Sequence, residues 1–218
     1  MHLLPDKIWF PLPEETSPEG VIAVGGDLSV ERLKLAYRNG IFPWYNDGEP
    51  IVWYCPNPRM VLFPEKLKVS KSMHQVIRKE KFKVTFNTHF AEVISNCKII
   101  SRKGQQGTWI TAEMQQAYIK LHKLGLAKSV EVWQNKELVG GLYGIDLSAG
   151  KAGLGTIFCG ESMFSKVSNA SKIAFIFLVE KLKKENYKLL DCQVYNKHLA
   201  SLGAEEISRT EFMSYLYQ

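Results

Sequence analysis

Thr111 is followed by apolar residues at helical spacing, Met114, Ala117, Tyr118, Leu121 and Leu124, and the run stops at Gly125. A threonine cap before and a glycine after predict an amphipathic helix between them. Beyond it the period falls to two, which predicts strands over 129–133, 137–143 and 155–160 joined as an antiparallel meander. A buried helix over 168–184, a strand over 188–194, a short helix after Asn196 ending at Gly203 and a C-terminal helix from Thr210 complete this half. Earlier in the chain, Ser29 caps a helix that places Leu33, Ala36 and Tyr37 on one face and ends before Gly40. A turn at Asn46-Asp-Gly48 follows, then a short basic helix from Ser70 or Ser72 to Lys79, and a strand over 83–87.

Composition divides this pattern in two. All nine prolines lie between Pro5 and Pro64, with Trp9, Trp44 and Trp53 among them, so a boundary is expected near 64: a small domain over 1–64 and a larger one over 65–218. With 218 residues and 45% hydrophobic content, the chain can bury a full core. No apolar run approaches the length of a membrane span and no signal-like segment opens the chain, so a cytoplasmic protein is expected. Cys55, Cys97, Cys159 and Cys192 form no CxxC and the histidines no HExxH, which argues against a disulfide framework or a metal site. The net charge of +6 is concentrated: over 65–83, Lys66, Lys68, Lys71, Arg78, Lys79, Lys81 and Lys83 stand against Glu65 and Glu80. Such a face tracks phosphates and points to RNA, with Lys98, Arg102 and Lys103 as an extension.

The candidate chemistry sits in two apolar stretches. Glu161 lies among Phe158, Met163 and Phe164, where lost hydration raises a carboxyl pKa unless a cation or donors hold it charged, so a cationic partner is implied. Asp191-Cys192-Gln193 ends another hydrophobic strand, and simple alternation would put Asp191 and Gln193 on one face and Cys192 in the core. The order helix, antiparallel meander, helix, strand, helix is that of acetyltransferase-like (GNAT-type) folds. An α+β chain is therefore expected, with a mostly antiparallel central sheet in the second domain. The loop over 163–172 contains no glycine to nest a pyrophosphate, which argues against coenzyme A and leaves no cofactor expected.

Nine motifs in order then resemble one family, the bacterial leucyl/phenylalanyl-tRNA-protein transferases: Val24-Gly-Gly-Asp-Leu28, Gly40-Ile-Phe-Pro-Trp44, Pro56-Asn-Pro-Arg59, Gly107-Thr-Trp-Ile-Thr111, Val139-Gly-Gly-Leu-Tyr-Gly144, Phe158-Cys-Gly-Glu-Ser-Met-Phe-Ser165, Asn169-Ala-Ser-Lys172, Asp191-Cys-Gln193 and Ala200-Ser-Leu-Gly203. The resemblance implies transfer of Leu or Phe, less well Met, from aminoacyl-tRNA to proteins beginning with Arg or Lys, creating an N-degron. It implies that Glu161 and Asp191 receive the cationic acceptor end and that Asp191 with Gln193 relays the proton. Trp44 and Trp109 would hold the terminal adenosine. Leu142, Phe158, Met163, Phe175 and Leu178 would shape the amino-acid pocket, with Tyr37, Tyr118 and Asn196 as further substrate contacts. Lys68, Lys71, Arg78, Lys79, Lys81 and Lys83 would follow the tRNA backbone, and a monomer is expected. Leu142 replaces a usual Met, a conservative change; two larger departures are a loop over 145–154 longer than the family's and an end at Gln218 without the longer tail many members carry. A coenzyme A-dependent N-acetyltransferase and a non-enzymatic RNA-binding protein are the rival readings, the first opposed by the missing glycine turn, the second by two acids that would weaken RNA binding.

Overall fold

The computed structural model describes residues 2–100, 109–149 and 156–217. Gly107, the extension at Arg102 and Lys103, and the second half of the loop expected over 145–154 lie outside the described residues. The first sheet comprises β1 (His2–Leu4), β2 (Val21–Gly25), β3 (Phe42–Pro43) and β4 (Val52–Tyr54), in the order β1-β2-β4-β3 with β1 parallel to β2. Helix α1 (Val30–Arg38) starts where Ser29 Oγ accepts from the Arg32 amide and buries Leu33, Ala36 and Tyr37, as the spacing predicts.

The second sheet begins inside the proline-rich part. Strand β5 (Arg59–Leu62) joins it, five residues before the composition boundary. Then come α2 (Lys71–Arg78), β6 (Lys83–Phe86), α3 (Phe90–Ile99), α4 (Ala112–Lys123), β7 (Ala127–Gln134), β8 (Glu137–Asp146), β9 (Ile157–Ser165), α5 (Ala170–Lys184), β10 (Leu189–Gln193), α6 (Lys197–Ser201), β11 (Glu205–Ile207) and α7 (Arg209–Leu216). The strand order is β11-β5-β10-β9-β8-β7-β6, and every neighbouring pair is antiparallel except β9 with β10. This is the expected α+β class with its mostly antiparallel sheet. Helix α3 was not among the expected elements, and α7 is capped by Ser208, slightly earlier than Thr210.

Each face of the second sheet has its own core. On one, α3 and α4 pack with α1, α7 and the first sheet; on the other, α5 packs with Met73 of α2. The first core runs from Leu4 to Leu216, so the small sheet and the large one bury apolar surface together. Two glycines in β8 make the site possible by close approach. A Cβ at Gly144 would sit 2.2 Å from the Cys159 carbonyl oxygen, and one at Gly140 would lie 2.5 Å from the Ala170 Cβ. Any side chain at these positions would push β9 or the start of α5 away.

Candidate active site

The site forms where the parallel pair separates. Strands β9 and β10 are in register at Leu189 with Ile157, Leu190 with Phe158 and Asp191 with Cys159, and there the pairing ends. Beyond that point β9 continues to Ser165 along β8, while β10 shifts register and turns at Gln193, which adopts a left-handed φ of 66°. The opening leads into a cleft of about 670 Å³. The strand expected over 155–160 runs on to Ser165, so Glu161 lies within it. Tyr143 faces Ser162 and Gly144 faces Gly160, so Glu161 is the extra residue of a β-bulge within β9. The bulge turns its carboxylate into the opening.

The expected cation beside Glu161 is absent among the described residues; its partners are neutral donors. Tyr37 of α1 donates to Oε1 at 2.7 Å, Tyr118 of α4 to Oε2 at 3.1 Å, and Gln193 Nε2 to Oε1 at 3.0 Å. Burial pushes the Glu161 carboxyl up to about 8, although the hydrogen bonds from Tyr37 and Tyr118 pull the other way. Burial and the neighbouring Glu161 carboxylate also push both phenols up, so each keeps its proton. The two phenolic oxygens touch one another as well as Glu161, so that two phenolic hydrogens are shared among three close approaches. A third proton, on Glu161, would let every one of these be a hydrogen bond. Tyr37 and Tyr118 thus lie beneath Glu161, fully enclosed, and do not line the cleft; as direct substrate contacts they are corrected, because both hydroxyls are spent on the carboxylate.

Asp191 is built differently. Both its oxygens are held by Arg59, with Nε at 2.8 Å from Oδ1 and Nη2 at 2.7 Å from Oδ2, and Oδ1 also accepts from the Gln193 amide at 2.9 Å. The pair is sealed, 2% exposed on Arg59 and 0% on Asp191. Asp191 is therefore not a free receiver of an acceptor cation. The register shift after it also breaks the alternation that put Gln193 on its face: Asp191 turns to Arg59 and Gln193 to Glu161. Cys192, expected in the core, is half-buried and lines the cleft, and burial pushes its thiol up, which holds it in the unreactive protonated form.

The remaining cleft wall is mostly apolar. Leu142, Met163, Phe175, Leu178 and Leu190 line it from the strands and α5; Phe42, Pro43, Trp44, Ile100 and Trp109 line it from the β3 side and the approach to α4. Trp44 is 37% exposed and its ring leans on Tyr54 at 5.8 Å between centroids, whereas Trp109 is half-buried. Phe158 is corrected: its ring fills the space beside Gly144 and borders a separate hollow of about 250 Å³, which shares Leu178 with the main cleft. Asn196 lines the cleft, but its Oδ1 caps α6 by accepting from the His198 and Leu199 amides. Among residues given no role in the sequence, Arg59 and His198 now belong to this region. The signal for Arg59 was present as a lone charge opening the apolar run Met60-Val-Leu62.

Lys68, Lys71, Arg78, Lys79, Lys81 and Lys83 are all exposed, and α2 turns Met73, Val76 and Ile77 inward, so the cations face solvent. None of the six lines the cleft or makes an ion pair among the described residues. Among the described residues, no group of three His, Cys, Asp or Glu is arranged to hold a metal ion, and no helix is long and apolar enough to cross a membrane.

Comparison with known proteins identifies the family. The family model for leucyl/phenylalanyl-tRNA protein transferase matches residues 61–217, and the model for its N-terminal domain matches 26–57. A leucyl/phenylalanyl-tRNA–protein transferase of Flavobacterium johnsoniae is 64% identical over 216 residues, covering 99% of each chain. One from Flavobacterium psychrophilum is 58% identical over the same length and coverage. Among solved structures, a GCN5-related N-acetyltransferase from Kribbella flavida overlaps 80% of this chain and 59% of its own at 8% identity and a TM-score of 0.38, too loose to carry an argument. With models matched over 26–57 and 61–217 and full-length relatives well above half identity, the chain belongs to the leucyl/phenylalanyl-tRNA protein transferase family and is an aminoacyltransferase.

Proposed function

We propose that this protein transfers Leu or Phe, and less well Met, from the 3′ end of an aminoacyl-tRNA to proteins beginning with Arg or Lys, in the cytoplasm and as a monomer, so that the product carries an N-degron. The observation that carries this reading is Glu161: a carboxyl on the wall of a mostly apolar cleft, held only by neutral donors. A guanidinium or ammonium entering the cleft favours the ionised form of Glu161, whose proton passes to water, and forms a charge-assisted pair. Met163, Phe175, Leu178 and Leu142 offer an unbranched apolar slot for the transferred side chain, and Trp44 with Trp109 a stacking surface for the terminal adenosine. The exposed cations around α2 follow backbone phosphates without reading bases.

The aminoacyl ester is already activated, so positioning is the main demand. Gln193 directs Nε2 at Glu161, which leaves its carboxamide oxygen to accept an N–H of the neutral α-amine. The amine attacks the ester carbonyl and forms the C–N bond. On collapse the C–O bond to the ribose breaks, and the proton lost by nitrogen ends on the departing hydroxyl.

Transfer of radiolabelled Leu from charged tRNA to an Arg-starting peptide tests the reading. Label should enter Arg- and Lys-starting peptides and not Ala-starting ones. Equal labelling of an Ala-starting peptide, or acetyl transfer from acetyl-coenzyme A in its place, would overturn it.

A further inference from the structure

Three separate stretches of sequence meet at Arg59. Its Nη1 donates to the Gly40 carbonyl at 2.9 Å, and its guanidinium lies between the rings of Phe42 and Phe212, 4.9 and 4.5 Å from their centroids. Its other edge grips both oxygens of Asp191. So oriented, Asp191 Oδ1 also accepts the Gln193 amide at 2.9 Å, across the register shift that ends β10. A non-glycine residue in the left-handed region is disfavoured, so this turn needs an outside hold. The hold also decides where the carboxamide of Gln193 goes, 3.0 Å from Glu161.

We propose that Arg59 is a positioning residue for transfer. It acts through Asp191 to keep Gln193 in the turn that presents its carboxamide to the reacting amine, and Asp191 serves as the link and not as a proton relay. The assignment rests on the cleft being the transfer site. Lysine at 59 keeps the charge but cannot bind two oxygens in the same plane. The neutral amide of Asn at 191 breaks the charged fork in a near-isosteric side chain.

A double-mutant cycle on kcat separates positioning from support of the fold. Glycine at 193 adopts the turn without help and has no carboxamide to aim. Arg59→Lys should lower kcat roughly tenfold to a hundredfold when Gln193 is present, with donor KM little changed, and by less than about twofold in the Gln193→Gly background. Equal fold-losses in both backgrounds would show that Arg59 supports only the fold and would overturn the proposal. Asp191→Asn repeats the cycle if Arg59→Lys does not fold. If the glycine variant is inactive, the Gln193 side-chain amide resonance decides: it must move on Arg59→Lys, and an unmoved resonance is contrary. Absence of transfer by the unaltered protein would remove the proposed function itself, whereas additivity removes only the role of Arg59.

Discussion

Two carboxylates a few residues from the same strand separation have opposite surroundings. Asp191 meets a guanidinium edge to edge and is closed to solvent; Glu161 meets two phenols and a carboxamide and borders the cleft. A buried acid with a buried cation is finished, its charge balanced inside the protein. One with neutral donors keeps capacity for a cation that arrives from outside. In the proposed reading the first carboxylate organises the site and the second receives the acceptor.

Removing one member of each arrangement should separate them most strongly in stability. Asp191→Ala leaves Arg59 charged and unpaired under full burial, and unfolding by urea should show a loss of about 3–5 kcal/mol. Glu161→Gln breaks no internal ion pair, so its denaturation midpoint at pH 7 should stay near or above that of the unaltered protein. Its deficit should lie in the KM for Arg-starting acceptors, raised by the equivalent of about 1.5–3 kcal/mol, the range for a hydrogen bond to a charged group. Comparable unfolding penalties for the two variants would erase the contrast.

A somewhat smaller effect belongs to the donor side. Trp44→Ala should weaken binding of a short aminoacyl-adenosine mimic by about 1–3 kcal/mol and leave acceptor KM unchanged. At the periphery, Lys71→Ala, Arg78→Ala and Lys79→Ala each free one phosphate of the tRNA from its cation. Each should lower the salt slope of tRNA binding by roughly 0.7–0.9, while transfer from the minimal donor stays normal.

A further expected effect is a pH dependence. Glu161 has a folded pKa of about 8, raised by burial, against about 4.3 for an unfolded Glu. Between these values the folded protein binds one more proton than the unfolded one. This group's contribution is therefore complete at low pH and is lost as pH rises through the folded pKa. Thermal melts should show the Tm of Glu161→Gln gaining on the unaltered protein between pH 5 and pH 8.5. A constant difference across that window would place the ionised form in the folded state throughout.

Much of this architecture is legible in local pattern. Helix α4 had a Thr111 cap, a regular apolar face and a Gly125 stop, and it forms between them. Helix α3 carries an equally regular face at Phe90, Val93, Ile94 and Cys97, yet its start is His89, whose side chain makes no cap, so no start signal marked it. At the site, an acid in an apolar run drew attention to Glu161, which lines the cleft, but the bulge that turns it and the left-handed turn at Gln193 depend on pairing between distant strands. Alternation cannot anticipate either. Arg59 and Asp191 are 132 positions apart, and a single sequence offers no means of joining them. Hence the cation inferred for the acids was placed beside the wrong one.

The decisive measurement compares transfer to peptides beginning with Arg and with citrulline, its neutral near-isostere, by the unaltered protein and by Glu161→Gln. Glu161 as the receiver of the acceptor charge requires the unaltered protein to favour Arg strongly and the variant to treat the two peptides nearly alike. Undiminished preference for Arg in the Glu161→Gln protein would contradict that role and move acceptor recognition elsewhere in the cleft.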